Sequence, residues 1–375
     1  MIYLDYSATT PVNKDVLKTF TKVCVNYPGN VNSLHKLGVE AKELEEYSTN
    51  KIKEILNLHN KEIIYTSGST ESNNQAIKGI CEKYSNRGKH IITTYLEHSS
   101  VLESMKYLQD KGFNVDYVKV LDNGLVDIDD LKRLLTNETI LVSICAVDSE
   151  NGILQNIDEI GMLLKEYPKC YFHVDCTQAV GKVKINFDNI DLASLSAHKI
   201  FGIKGIGLLI KNDNLYIGNL LHGGKSSTVY RSGTPALPLI VSMMRALELI
   251  VPNIDINYEH VKNLNSIILD KLKLYSDVHI NSTLNSIPYI INFSLNSIKP
   301  ETFVHAMEEY NIFISTRSAC SSTNTMSNSI YAITKNRDYA THSIRVSLSY
   351  LSTIDEVNEF LRVFDIVYNK LNLKK

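Results

Sequence analysis

Seven short apolar runs rich in β-branched residues recur along this chain, at Glu62 to Thr66, His90 to Thr93, Val115 to Val120, Ile140 to Ala146, Cys170 to Asp175, Leu192 to Leu195 and Ile206 to Ile210. Between most of them lie longer stretches with helical spacing: Leu34 to Leu58, Thr70 to Tyr84, Ser99 to Lys111, Ile128 to Leu135 and Ile157 to Lys165. Strands that alternate with helices need crossover connections. The pattern therefore predicts an α/β fold whose seven-stranded, mainly parallel sheet carries helices on both faces. Near Val251-Pro252-Asn253 the alternation changes to a long helix (Tyr258 to Leu274), strand, helix, strand and a terminal helix (Ile354 to Leu371). This second pattern reads as a smaller α+β C-terminal domain. The expected division is an N-terminal segment, 1–14, packing with the small domain, a large domain, 15–255, and the small domain, 256–375.

At 375 residues the chain exceeds one ordinary core, which agrees with two lobes. Charged residues are 21% of the total and the formal net charge is −2, so no global basic field would draw nucleic acid or anionic lipid. The apolar runs Leu239-Ile240-Val241 and Leu208-Leu209-Ile210 fall far short of the ~20 residues that span a bilayer, and the first residues have no basic, cleavable leader pattern. A cytoplasmic protein with small-molecule or protein partners is expected. Its six cysteines form no Cys-x-x-Cys pair, and no metal site is expected.

The chemistry is concentrated in His173-Val174-Asp175-Cys176-Thr177-Gln178 and, one strand later, Ser196-Ala197-His198-Lys199. An aspartate closing a buried strand is most often a turn or cap residue, and a lysine before glycine-rich sequence is usually a solvated charge. Together they form the layout that holds pyridoxal 5'-phosphate: the carboxylate keeps the pyridine nitrogen protonated, and the amine forms a Schiff base with the aldehyde. A phosphate cradle is also present. The run ending at Thr66 leads through the tight turn Ser67-Gly68-Ser69 into a helix, whose first amides and the Ser69 and Thr70 hydroxyls suit an anion. Ser196 and His198 lie near enough to Lys199 in sequence to reach the same phosphate.

These strings, with Tyr3-Leu4-Asp5-Tyr6-Ser7-Ala8-Thr9-Thr10-Pro11, Glu97-His98, Arg231-Ser232-Gly233-Thr234, Ser318-Ala319-Cys320 and Ser343-Ile344-Arg345, occur in the order found in the cysteine desulfurases. The chain resembles that family, within the class-V group of fold-type-I pyridoxal phosphate enzymes, over nearly its whole length. The resemblance implies that L-cysteine becomes L-alanine, with a persulfide left on a mobile-loop cysteine for a protein sulfur acceptor. Lys199 would carry the cofactor and act as base, Asp175 would face the ring nitrogen, His98 would stack on the ring and, as a further catalytic residue, shuttle a proton, and Gln178 would bond the ring hydroxyl. Arg345 and Asn30 would handle the substrate, with the fork of Arg345 suited to its carboxylate. Ser149 stands where the family carries a cofactor-contacting asparagine. Thr234 would reach the phosphate of a partner subunit, which implies a homodimer assisted by the apolar stretch Pro235 to Leu249.

Cys320 sits among Thr316, Arg317, Ser318, Ser321, Ser322, Thr323, Asn324 and Thr325, a polar setting that suits an exposed nucleophile. Cys24, Cys81, Cys145, Cys170 and Cys176 occur in apolar or strand contexts and read as packing residues. The alternatives are a selenocysteine lyase or another β-eliminating lyase of the same class, and a non-catalytic, partner-activated binding subunit. The acceptor is left open between an iron–sulfur scaffold, a tRNA-thiolation enzyme and a dedicated carrier. The altered nucleophile loop and short tail favour the last of these.

Overall fold

The computed structural model describes residues 1–224, 226–316 and 326–372; Cys320 and its neighbours from Arg317 to Thr325 lie outside them. Along the chain the strands are β1 (Ile2–Tyr3), β2 (Lys61–Thr66), β3 (His90–Thr93), β4 (Asn114–Tyr117), β5 (Thr139–Cys145), β6 (Tyr171–Asp175), β7 (Leu192–Ser196), β8 (Gly207–Asn212), β9 (Val278–Ile280), β10 (Ile290–Leu295), β11 (Ile312–Phe313) and β12 (Ser343–Ser347). The helices are α1 (Lys14–Asn26), α2 (Lys36–Ile55), α3 (Ser69–Tyr84), α4 (Ser99–Asp110), α5 (Ile128–Leu134), α6 (Ile157–Leu164), α7 (Leu237–Ile250), α8 (Ile254–Leu272), α9 (Pro300–Glu308), α10 (Asn328–Thr334), α11 (Arg337–Thr341) and α12 (Ile354–Asn372).

Seven strands form the large sheet in the order β2-β8-β7-β6-β5-β3-β4. β5 and β6 are buried on both faces, as expected of parallel strands between helical layers. Strand β8 runs antiparallel to both of its neighbours. The cause is local: β7 and β8 are joined by a short turn region, too short for the crossover that a parallel pair needs. Helix α3 packs across β8, β7, β6 and β5, while α7 packs against α1 and α2. The Val115 to Val120 run stops being strand at Tyr117, and helix α1 was not signalled by the sequence reading.

The C-terminal part builds a three-stranded antiparallel sheet, β12-β10-β9, against which α8, α9 and α12 pack around Phe293, Phe303, Phe360 and Phe364. The first residues return to this region. β1 pairs with β11, Asp5 bridges to Ser347, and the backbone then crosses to the large sheet. By length and composition, one helical stretch, Leu237–Leu272, is apolar enough to cross a membrane. It is interrupted by the 3-10 turn Val251–Asn253, and 56% of its most apolar window is buried within the fold, so its hydrophobicity is accounted for by core packing.

Candidate active site

Most chemical groups of the site close or follow a strand of the large sheet. β2 finishes at Thr66, the chain turns through Gly68 at φ 155°, and α3 begins with no side chain capping its first amides. These unfilled N–H groups, with Ser69 and Thr70, face a cavity. The turn is pressed against β8: a Cβ at Gly207 would lie 2.7 Å from the Gly68 backbone, so any larger residue there would displace the cradle. Ser196, buried at the end of β7, stands behind the same turn. Glu71 secures it from the other side by accepting from the Ser67 amide (2.7 Å) and from Arg231 (3.0 Å). Burial opposes the ionised Glu71 carboxyl, yet these bonds outweigh it and hold the group below its usual range.

β6 delivers Asp175 to the cavity wall. Its two carboxylate oxygens accept from Asn73 Nδ2 (2.8 Å) and the Thr177 amide (2.9 Å). Among the described residues no lysine or arginine forms a salt bridge with it, so a buried carboxylate is served by neutral donors only. Such a group has unmet demand for a cation, which a protonated pyridine nitrogen satisfies. The Thr177 hydroxyl, also on the wall, is buried without a partner. A cavity of about 150 Å³ bounded by this carboxylate, a helix N-terminus and a lysine fits pyridoxal phosphate in its donor set.

Asn73 also donates to the Ser100 hydroxyl (2.9 Å), which lies 2.9 Å from His98 Nδ1. His98 caps α4, and its Nδ1 accepts the Ser100 amide. A nitrogen that accepts a backbone N–H carries no proton of its own, so the ring proton is on Nε2 and the neutral tautomer is fixed. Burial lowers the His98 pKa further, outweighing the nearby Asp175. We expect a pH titration by nitrogen NMR to show His98 with its neutral-form proton on Nε2 and taking up its second proton at lower pH than a free imidazole. A titration at or above that of the free imidazole would contradict the network. The sign for stability follows: the unfolded chain takes up this proton as pH falls through about 6.5 while the folded chain resists, so His98 makes acidification destabilising.

Lys199 ends the 3-10 turn Ala197–Lys199 after β7. Its Nζ donates to the Ala8 carbonyl (2.8 Å) and to that of Ser7. The same N-terminal segment is fastened to the turn by Thr10, whose amide and hydroxyl both reach the His198 carbonyl (2.9 and 3.0 Å). His198 Nδ1 is 3.1 Å from Thr9, and burial, reinforced by Lys199 and Lys204, pushes its pKa down to about 4.

Arg345 in β12 is fully buried, with Nη1 on the Ser149 carbonyl (2.8 Å) and Nη2 on Asp5 (2.9 Å). Among the described residues its buried Nε has no partner, and the residue lines the cavity at the place where a substrate carboxylate was expected. The described residues flanking 317–325 attach to the same wall. Ser315 pairs with the Arg345 backbone (2.7 and 3.1 Å), Ser327 donates to Glu150, and Ser329 donates to Asp148 (2.5 Å).

The cavity therefore gathers Ser69, Thr70, His98, Ser149, Asp175, Gln178, His198, Lys199 and Arg345, with Ser196 behind its floor. Asn30 is not among its lining: it is exposed, its side chain accepting the Asn32 amide in a local turn. Thr234 is exposed away from the cavity of its own chain. Cys320 lies outside the described residues. Of the cysteines read as packing residues, Cys81, Cys145, Cys170 and Cys176 are buried, but Cys24 is exposed, on the outer face of α1. The sequence reading missed Asn73, Asp5 and Lys182. Asn73 had a local signal, a polar residue one turn inside an otherwise core-facing helix; Asp5 had none, because its partner is distant in sequence.

The class-V aminotransferase family model matches residues 2–360. The cysteine desulfurase IscS of Buchnera aphidicola subsp. Acyrthosiphon pisum is 38% identical over 95% of this chain and 90% of its own. The enzyme of that name from Dictyoglomus turgidum is also 38% identical, over 99% and 95%. Among solved structures, a NifS-like protein superposes with TM-score 0.92 at 34% identity, covering 98% of this chain and 99% of its own. The protein SspA in complex with cysteine superposes with TM-score 0.82 at 30% identity, covering 94% and 100%. By sequence and by fold, the chain belongs to the class-V aminotransferase family, among its cysteine desulfurases.

Proposed function

We propose that this chain converts L-cysteine to L-alanine with pyridoxal 5'-phosphate on Lys199, leaves the sulfur as a persulfide on Cys320, and hands it to a protein acceptor in the cytoplasm. The observation that carries the reading is the convergence of a buried carboxylate with no salt bridge among the described residues, an open helix N-terminus, a lysine and a buried arginine on one cavity. When bound, the cofactor supplies an electron sink for charge developing at the substrate's Cα. Asp175 holds a proton on the ring nitrogen, Ser69, Thr70 and the α3 amides bind the phosphate with Ser196 and His198 near them, and Gln178 donates to the ring oxygen. Arg345 orients the substrate carboxylate, with Ser149 beside it. Lys199 Nζ moves the Cα proton. His98, fixed with its proton on Nε2, serves as a donor and an apolar face rather than as a base.

The thiolate of Cys320 attacks the substrate sulfur: a sulfur–sulfur bond forms, the Cβ–S bond breaks, and its electron pair stays with Cβ, which takes up a proton to become the methyl group of alanine. Burial holds Cys145 and Cys176 as thiols, well above the usual range, so neither competes although Cys145 lines the cavity. Exposed apolar side chains at Leu34, Leu37, Val39 and Val229 support a homodimer in which Thr234 reaches the partner's phosphate. The divisions 1–14, 15–255 and 256–375 belong to the same proposal. The test is alanine release from L-cysteine, from selenocysteine and from a blank. Release from cysteine with persulfide formation is expected, whereas release from selenocysteine alone would make the chain a selenocysteine lyase.

A further inference from the structure

Lys182 is buried (7% exposed), far from any role assigned to it so far, with its Nζ 2.5 Å from Gln178 Oε1. Among the described residues no carboxylate salt-bridges it. The other end of the same amide, Gln178 Nε2, donates to the Ser7 carbonyl (2.9 Å), which also accepts from Lys199. A carbonyl oxygen only accepts, whereas a lysine amine, charged or neutral, carries N–H groups to donate. The Ser7 carbonyl therefore sets the orientation of the amide and Lys182 reinforces it: reversed, Oε1 would face the Ser7 oxygen, two acceptors with no donor between them. The remaining Nε2 hydrogen is then available to the cavity that Gln178 lines.

We propose that Lys182 is a positioning residue that fixes the Gln178 side-chain amide with its N–H toward the cavity, so that Gln178 stabilises an anionic ring oxygen on the bound cofactor. The inference rests on the reading of the cavity as a pyridoxal phosphate site. It explains why a buried lysine is retained beside two further cations, Lys199 and Arg345, with an amide oxygen as its partner.

The test is a pH titration of the bound cofactor's absorbance, with its dissociation rate measured alongside and thermal melting as the folding control. A hydrogen bond to the charged form favours that form, so losing it raises the midpoint. Lys182→Met is expected to raise the midpoint by about 0.5–1 unit and to speed cofactor loss roughly threefold to tenfold. Gln178→Ala should do the same, and adding Lys182→Met to Gln178→Ala should change nothing more. An unmoved midpoint in Lys182→Met, or a full further shift in the double variant, would overturn the proposal, the latter by showing that the lysine acts through its own charge. Should Lys182→Met not fold, Lys182→Arg is read instead: it keeps a donor beside Oε1 and so keeps the midpoint in place, and a shift there overturns the proposal. A wild-type protein that binds no cofactor at all would overturn the cofactor reading itself and this inference with it.

Discussion

Replacing Cys320 with serine lowers alanine formation from L-cysteine by roughly 10³-fold or more, the scale on which removal of a nucleophile is felt, while the cofactor stays bound. A serine hydroxyl is un-ionised at neutral pH and cannot accept sulfur as a persulfide, so the variant stops after substrate binding. Adding cysteine should still change the absorbance of Cys320→Ser, because Asp175, Lys199 and Arg345 are untouched. Persulfide trapping with an alkylating reagent should find none. The described flanks explain why this segment is a credible source of the nucleophile: Ser315 is paired with Arg345, and Ser327 and Ser329 are tied to Glu150 and Asp148 on either side of Ser149. Normal turnover in Cys320→Ser would place the sulfur acceptor elsewhere, with exposed Cys24 the first residue to examine.

Lys199→Ala is expected to remove turnover by roughly 10²–10⁴-fold from loss of the base alone, and to leave the cofactor held only by reversible contacts. The helix N-terminus and Asp175 persist in that variant, so pyridoxal phosphate should still bind but wash out on dialysis. Because Lys199 donates to the carbonyls of Ser7 and Ala8, the change also unties two bonds of the N-terminal segment. Thr10 keeps that segment attached through His198, so the melting temperature should fall only modestly. Retention of cofactor through dialysis together with undiminished alanine release would contradict the assignment.

How far the sequence revealed this site follows from where its parts lie. Asp175 closes a strand of the large sheet and Ser69, His98 and Lys199 each follow one within a few residues, and strands β2, β3, β6 and β7 all point the same way, so their C-terminal ends meet at one edge. A residue read as closing a strand was thereby read as facing the site. Strand direction at β8 was less legible, since an apolar run is the same read either way; the short turn after Lys199 decided it. The contacts that join Asp5 to Arg345 and Ser7 to Gln178 and Lys199 had no local signature, because they link the first residues to partners far along the chain. Their signal was only the resemblance of the opening segment. Asn30 shows the opposite limit: the resemblance named it, and in this chain it is an exposed turn residue. Lys182 was within reach as a buried-motif lysine, but a charged side chain carries no mark of burial until its neighbours are placed.

The central claim is that this cavity is a pyridoxal phosphate site built on Lys199. Borohydride reduction of the purified protein, followed by peptide mass spectrometry, tests it most directly, because reduction makes the link to the lysine permanent. Two other lysines are informative competitors. Lys182 borders the site, and burial, with Lys199 and Arg345 nearby, pushes its amine down to about 7, which makes it a reactive amine near neutral pH. Lys204 follows in the same loop. The label is expected on Lys199 alone; a label on Lys182 or Lys204, or no label in protein supplied with the cofactor, would contradict the account.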